Sequence, residues 1–408
     1  MFRFIGLLGL LAWLLPAAAP ADSTSDLEPF EALEFIELEP IGAHSVWVTD
    51  VIFRQSLLFD ADTGEALATI GNAMGSFPKP PIFSSSRNEF YVPEAQREWG
   101  HRGERTDFVT VYDAKTLQTE TQIVIPTQSG ESAGNVGYAN LLDGEDTLAI
   151  YNQFPAQSVS LIDVGERAFI GSVSTGGCAG IYPTGELSFA TLCGDGTLRE
   201  VEVDAEGQLI RDESTSAFFN VVEDPVMMNG SRVGDRWVFI SFSGVIHDVD
   251  FGTSPPTVRS WSGVDTLEKS EGWRPGGRQG SGAHQQLERL YILFHAGESG
   301  SHKDPGPEVW VFDLKAGSRI DRFSLPNMDA SAIAGLLGLE GGFAGWLLEN
   351  IVPATGGDTL AITQDDEPLL LVRNSSLPIA AVLDAQTGEH LRNLTEIGIS
   401  GYQLTVPR

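Results

Sequence analysis

The chain repeats one short unit, a run of alternating apolar and polar residues that ends in an aspartate and enters a tight turn. Its clearest copy is Phe108-Val109-Thr110-Val111-Tyr112-Asp113, followed by Ala114-Lys115-Thr116. Six others end at Asp60, Asp163, Asp204, Asp250, Asp313 and Asp384, giving spacings of 53, 50, 41, 46, 63 and 71 residues. A return at roughly this interval is the period of a propeller blade, a sheet with an apolar face that only a neighbouring blade can cover. The aspartate has a chemical reason to recur, because its carboxylate can accept hydrogen bonds from backbone N–H groups two residues on and close the turn. Unrelated hairpins in an all-β protein would have no cause to keep such a period. Seven units predict an all-β fold, a seven-bladed β-propeller of four-stranded antiparallel blades. A last strand at 403–406 is expected to pair with an early one and close the ring, since free sheet edges must be paired or covered.

Residues 1–21 stand apart. Arg3 precedes an apolar run, 4–15, too short to span a bilayer, and Ala19-Pro20-Ala21 matches a signal-peptidase site. The expectation is an exported chain that begins near Asp22, with an acidic N-terminal segment at 22–44 and the propeller at 45–408. Nothing later in the sequence reaches membrane-spanning length. With 56 acidic against 25 basic residues the net charge is −31, which excludes a phosphate-tracking nucleic-acid surface.

Two cysteines are present, Cys178 and Cys193, 15 positions apart within one expected blade. In an oxidising compartment they read as a disulfide closing a hairpin. The period breaks at 327–358, where two apolar runs, 332–339 and 343–348, suggest a short helical hairpin. Such a segment is either functional and covered by a partner or folded back on its own blade. In the second blade, 94–106 reads as a long connection between the middle strands.

A search for chemistry returns little. The histidines (44, 101, 247, 284, 295, 302, 390) are scattered, and no zinc-ligand spacing occurs. The glycine runs Gly176-Gly177 and 276–280 lack dinucleotide or phosphate-loop spacing.

Four stretches nevertheless carry a resemblance: Arg102-Gly-Glu-Arg-Thr-Asp-Phe108 through Asp113; Cys178-Ala-Gly-Ile-Tyr-Pro-Thr184 through Cys193-Gly-Asp195; 265–267 with Glu271-Gly-Trp-Arg-Pro-Gly-Gly277; and Thr363-Gln-Asp-Asp-Glu-Pro-Leu-Leu370. In order and in register, over roughly 60–395, they resemble the large subunit of bacterial quinoprotein amine dehydrogenases, the methylamine and aromatic amine enzymes. The resemblance implies a periplasmic propeller assembled as two large and two small subunits. It implies that tryptophan tryptophylquinone sits on the small subunit, so that this chain holds no cofactor, metal or catalytic residue of its own. Amine would be oxidised to aldehyde and ammonia, with electrons passed to a blue-copper acceptor of amicyanin or azurin type. Gly75-Ser76-Phe77-Pro78-Lys79-Pro80 is similar to the stretch that carries the family's channel-lining phenylalanine, making Phe77 the candidate for substrate access, against an ordinary packed Phe between blades. The insertion at 327–358 and the short N-terminal segment depart from the family. They keep open a different reading, a solitary periplasmic propeller that binds without redox activity. Which amine is preferred is not legible from the sequence.

Overall fold

In a computed structural model, residues 37–407 are described apart from His101, Thr127, 130–135 and Glu340; the expected signal peptide lies outside them. The described residues form seven antiparallel sheets. They are the blades of a seven-bladed propeller. Each blade runs from an innermost strand outward, and in two blades the innermost strand is broken into two pieces: Gln128–Ser129 with Ala139–Leu141, and Trp273–Pro275 with Ser281–His284.

Ring closure follows the expectation. Blade 1 takes Ser45–Asp50, Gln55–Asp60 and Ala66–Gly71 from the start of the chain, and its innermost strand, Gly401–Thr405, from the end. Trp47 pairs with Thr405, Val48 with Leu404 and Thr49 with Gln403. Every seam between neighbouring blades then holds its own apolar cluster, including the seam between blades 7 and 1, where Val46 and Phe59 meet Leu371 and Val382. Aromatic pairs lock several of them. Trp47 meets Phe90 edge-on at 5.2 Å across blades 1 and 2, and Trp310 stacks on Phe294 at 3.9 Å within blade 6. Fully burying such a side chain is worth about 1.5–3 kcal/mol, so the seams carry the stability that one isolated blade lacks.

All seven repeated aspartates sit where the third strand of a blade turns into the fourth. Asp60 accepts from Asp62 N, Asp113 from Thr116 N, Asp163 from Glu166 N and Asp204 from Gln208 N. Asp250, Asp313 and Asp384 accept from Gly252, Ala316 and Thr387 in the same way. In the last turn Gly388 has φ 75°, and a Cβ there would lie 2.4 Å from the Phe323 ring. Glycine meets both demands.

One expectation is corrected. The long connection expected at 94–106 is mostly strand, because pairing continues from Glu94↔Phe108 to Arg97↔Arg105 and leaves only 98–104 as a turn. Polar residues hid it. Glu94 and Asp107 are buried and partnered, so these strands lack the solvent-facing alternation that marks a strand in sequence.

The insertion forms α2 (Met328–Leu337) and α3 (Gly342–Ile351), preceded in the chain by α1 (Thr266–Ser270). No helix among the described residues is long and apolar enough to cross a membrane.

Candidate interaction face and substrate-access loop

Antiparallel blades sort their loops onto two faces. The turns between first and second strands and between third and fourth strands leave one face, which carries the seven aspartates. Middle hairpins and blade-to-blade connections leave the other, called here the connection face. Most exposed large apolar side chains that do not lie on an outermost strand fall on this second face; among the described residues only Leu287 lies opposite. Ile52 and Phe53, Trp99 and Phe154 cap the middle hairpins of blades 1, 2 and 3, and Phe77, Leu267 and Phe343 lie on connections.

Phe77 sits on this face in the connection from blade 1 to blade 2, with 44% of its surface exposed. It is therefore not a packed residue between blades. Its neighbours Ser76, Pro78, Lys79 and Pro80 are buried, so the phenyl ring projects from an anchored loop. Arg54 donates to the carbonyls of Ala73 and Ser76, Gly75 N donates to Ala95 O at 2.7 Å, and Ala73 N donates to Glu94 at 2.5 Å. Below the loop lies a buried group of charges. Arg105 grips Asp107 with two hydrogen bonds of 2.7 Å, and Glu94 also accepts from Thr110 at 2.6 Å. Burial pushes Lys79 down to about 8, against the pull of Asp107 and Glu94, and burial raises Glu94 in spite of its hydrogen bonds. A charge removed from water tolerates this only when partnered, which fixes the geometry of the loop.

The innermost strands of all seven blades enclose an axial cavity of about 350 Å³. Gln279 ties three of them together: its side chain donates to Leu360 O at 3.0 Å and Leu404 O at 2.7 Å, and accepts from Leu404 N at 3.3 Å. Among the described residues no group of three or more His, Cys, Asp or Glu is arranged to hold a metal ion. Three of the described histidines fasten loops. His44 bonds Asp62 at 2.7 Å and Asp365 at 3.0 Å, His284 bonds Asp365 O at 2.9 Å, and His295 bonds Ser301 at 2.9 Å.

Two of the resembling stretches, 265–277 and 363–370, tie neighbouring blades, and the cysteine stretch braces a hairpin within one blade. In 271–277, Gly277 adopts φ 96° against the carbonyl of Asp358, which a Cβ would approach to 2.6 Å, so only glycine seats the start of blade 7 there. Asp265 and Glu268 form a reciprocal cap on α1, and Glu268 also holds Arg319 at 2.6 Å. In 363–370, Gln364 reaches Ala283 O in blade 6 while Asp365 reaches His44 beside blade 1. Cys178 and Cys193 face each other across paired strands and are joined, with Cα atoms 4.0 Å apart. Sequence reasoning named these stretches but missed the charges under Phe77, the Gln279 tie and the His44 bridge. The apolar residues at strand-ending turns, such as Ile52-Phe53 and Trp99, were the one available signal for the exposed apolar face.

The ring, its apolar connection face and the anchored Phe77 loop define the chain as a seven-bladed β-propeller. A family model described as methylamine dehydrogenase heavy chain matches residues 43–334. The chain belongs to the methylamine dehydrogenase heavy chain family. It is 26% identical over 372 residues to the heavy chain from Paracoccus versutus, covering 89% of this chain and 79% of that one. With the heavy chain of Methylorubrum extorquens it shares 24% over 375 residues, covering 89% and 82%. Among solved structures it superposes on a functionally unknown protein from Desulfotomaculum acetoxidans with a TM-score of 0.54 at 14% identity, covering 90% of this chain and 100% of that one. Kluyveromyces lactis Hsv2 gives 0.51 at 10% identity, covering 87% and 96%. These two similarities concern the fold alone.

Proposed function

We propose that this chain is the large subunit of a periplasmic quinoprotein amine dehydrogenase. The observation that carries the reading is the family match over 43–334, and the apolar connection face supports it. Two such chains would assemble with two small subunits, each bearing tryptophan tryptophylquinone, which supplies the electrophilic and electron-accepting chemistry of amine oxidation. This chain's own part is to hold that subunit and to shape the approach of the amine. Phe77, projecting from a loop pinned by Arg54 and Glu94, lines that approach. Residues 1–21 direct export and are removed, 22–44 form an N-terminal segment, and 45–408 form the propeller with its insertion at 327–358. Electrons leave through a blue-copper protein.

The test is direct. The purified chain alone is expected to be colourless and to leave a redox dye unreduced with methylamine or phenylethylamine. Tagged chain recovered from the native host is expected to bring a disulfide-rich, quinone-absorbing partner and amine-dependent dye reduction. Quinone absorbance in the isolated chain would contradict the proposal. A native preparation with no second polypeptide would favour a solitary binding propeller instead.

A further inference from the structure

The helical hairpin α2–α3 is held firmly at its base and is bare elsewhere. Asn327 caps α2 by accepting from Ala330 N at 3.1 Å, and its amide donates to Val352 O at 2.7 Å, tying the end of α3 to the start of α2. Asp329 accepts from both Thr355 N and Thr355 Oγ1 at 2.8 Å, and Asn374 of blade 7 donates to Thr355 Oγ1 at 2.9 Å. Beyond this base, α2 buries Met328, Ala330 and Ala334, while α3 buries only Gly345. Leu336 is 86% exposed, Phe343 75% and Ile351 63%, with Phe343 stacked beside Trp346 at 5.7 Å. A helix this apolar, with one residue buried, is half of an interface.

The identity of the other half follows from charge and position. Neither helix has a Lys or Arg, and the net charge of the chain is −31. Helices that lie on a membrane surface carry basic residues along their polar face, which these do not. Two copies of the hairpin would bring acidic surroundings against acidic surroundings, a juxtaposition that disfavours association. A partner with an apolar patch rimmed by Lys and Arg meets both the exposed side chains and the field around them. The hairpin also issues from a blade-to-blade connection, so it lies on the same face as Phe77 and the apolar loop tips.

We infer that α2 and α3 are a docking element for the quinone-bearing small subunit, which meets Leu336, Phe343 and Trp346 with an apolar surface rimmed by basic residues. The inference rests on the functional reading above and adds to it a contact built by a segment that breaks the blade period. Aromatic anchors of this exposure and position are the residues that dominate binding energy in interfaces.

The test uses tagged full-length chain, wild type and the triple variant Leu336→Ser, Phe343→Ser, Trp346→Ser, expressed in the native host. The quinone-absorbing chain is separated from the wild-type complex and titrated against each purified large chain. The variant is expected to fold with an unchanged melting temperature and to bind that chain roughly 30-fold or more weakly, the loss of at least one anchor. Equal binding by a folded variant overturns the inference and leaves the functional reading intact. Absence of any quinone-absorbing chain from the wild-type preparation overturns both. Sedimentation showing that the wild-type chain alone dimerises and the variant does not assigns the hairpin to a second copy, and flotation of wild type but not variant with phosphatidylcholine vesicles assigns it to a membrane; either result also overturns the inference.

Discussion

His44 bridges the seam between blades 7 and 1, and its replacement by glutamine should weaken the ring in a pH-dependent way. The ring nitrogens bond Asp62 of blade 1 at 2.7 Å and Asp365 of blade 7 at 3.0 Å. Burial works against the charged imidazole, but the hydrogen bond to Asp62 and the charge of Asp365 outweigh it, so the group is held above its ordinary 6.5. Asp365, although burial opposes its charge, is held below the usual carboxylate range by hydrogen bonds from Thr363 and the backbone and by His44. It therefore stays ionised throughout the range in which His44 titrates. Arg392 lies 3.7 Å from Asp62.

The sign follows from linkage. A group with a raised folded pKa contributes stability that is complete below its unfolded value, here 6.5, and is lost as pH rises through the folded value. Two hydrogen bonds between charged partners are worth about 1.5–3 kcal/mol each when sheltered. Asp62 is half exposed, however, and screening lowers such a pair toward about 0–1 kcal/mol. The protonated bridge is thus worth about 2 kcal/mol and the neutral one about half of that. Urea unfolding of wild type and His44→Gln at pH 5.5 and pH 8.5, with Asp365→Asn completing a double-mutant cycle, measures both numbers. A destabilisation of equal size at the two pH values would falsify the electrostatic account, leaving only packing. A coupling energy near zero between His44 and Asp365 would remove the bridge itself.

Other perturbations test the remaining parts. Replacing both Cys178 and Cys193 by alanine should cost about 3 kcal/mol, the chain-entropy value for a loop of this length, and alkylation mass spectrometry of non-reduced wild type should find no free thiol. Lys79, pushed down to about 8 by burial, releases its proton in the folded state before the unfolded chain does at about 10.5. Its contribution to stability should therefore grow as pH rises from 8 to 10.5, and Lys79→Met should flatten that rise in denaturation curves. Gly277→Ala places a Cβ 2.6 Å from Asp358 O at a positive φ, and should lower stability by about 2 kcal/mol or more, with a lower melting temperature as the readout. Gln279→Ala deletes the tie between three inner strands, and leaving Leu404 N without its partner should cost about 1–3 kcal/mol in urea unfolding.

The sequence by itself determined the ring. The aspartate that closes a turn acts on N–H groups within four residues, and the alternation of Phe108 to Tyr112 reflects the pleat of one strand, so both are written locally and both recur once per blade. The cysteine pair was legible for the same reason, since its partners face each other across one hairpin. Even the helical nature of 327–358 followed from two apolar runs that fit no strand of the period. What the tertiary structure decided is everything that joins residues far apart in the chain. Asp365 finds His44 across 321 positions, Gln279 reaches Leu404 across 125, and Glu94 receives the backbone N–H of Ala73 across 21. The apolar connection face is of this kind too. Ile52, Phe77, Trp99, Phe154 and Phe343 lie far apart in the chain, and only antiparallel topology sends all of their loops to the same side. Local chemistry specifies the blade; the charges, ties and apolar face arise when seven blades are bent into a circle.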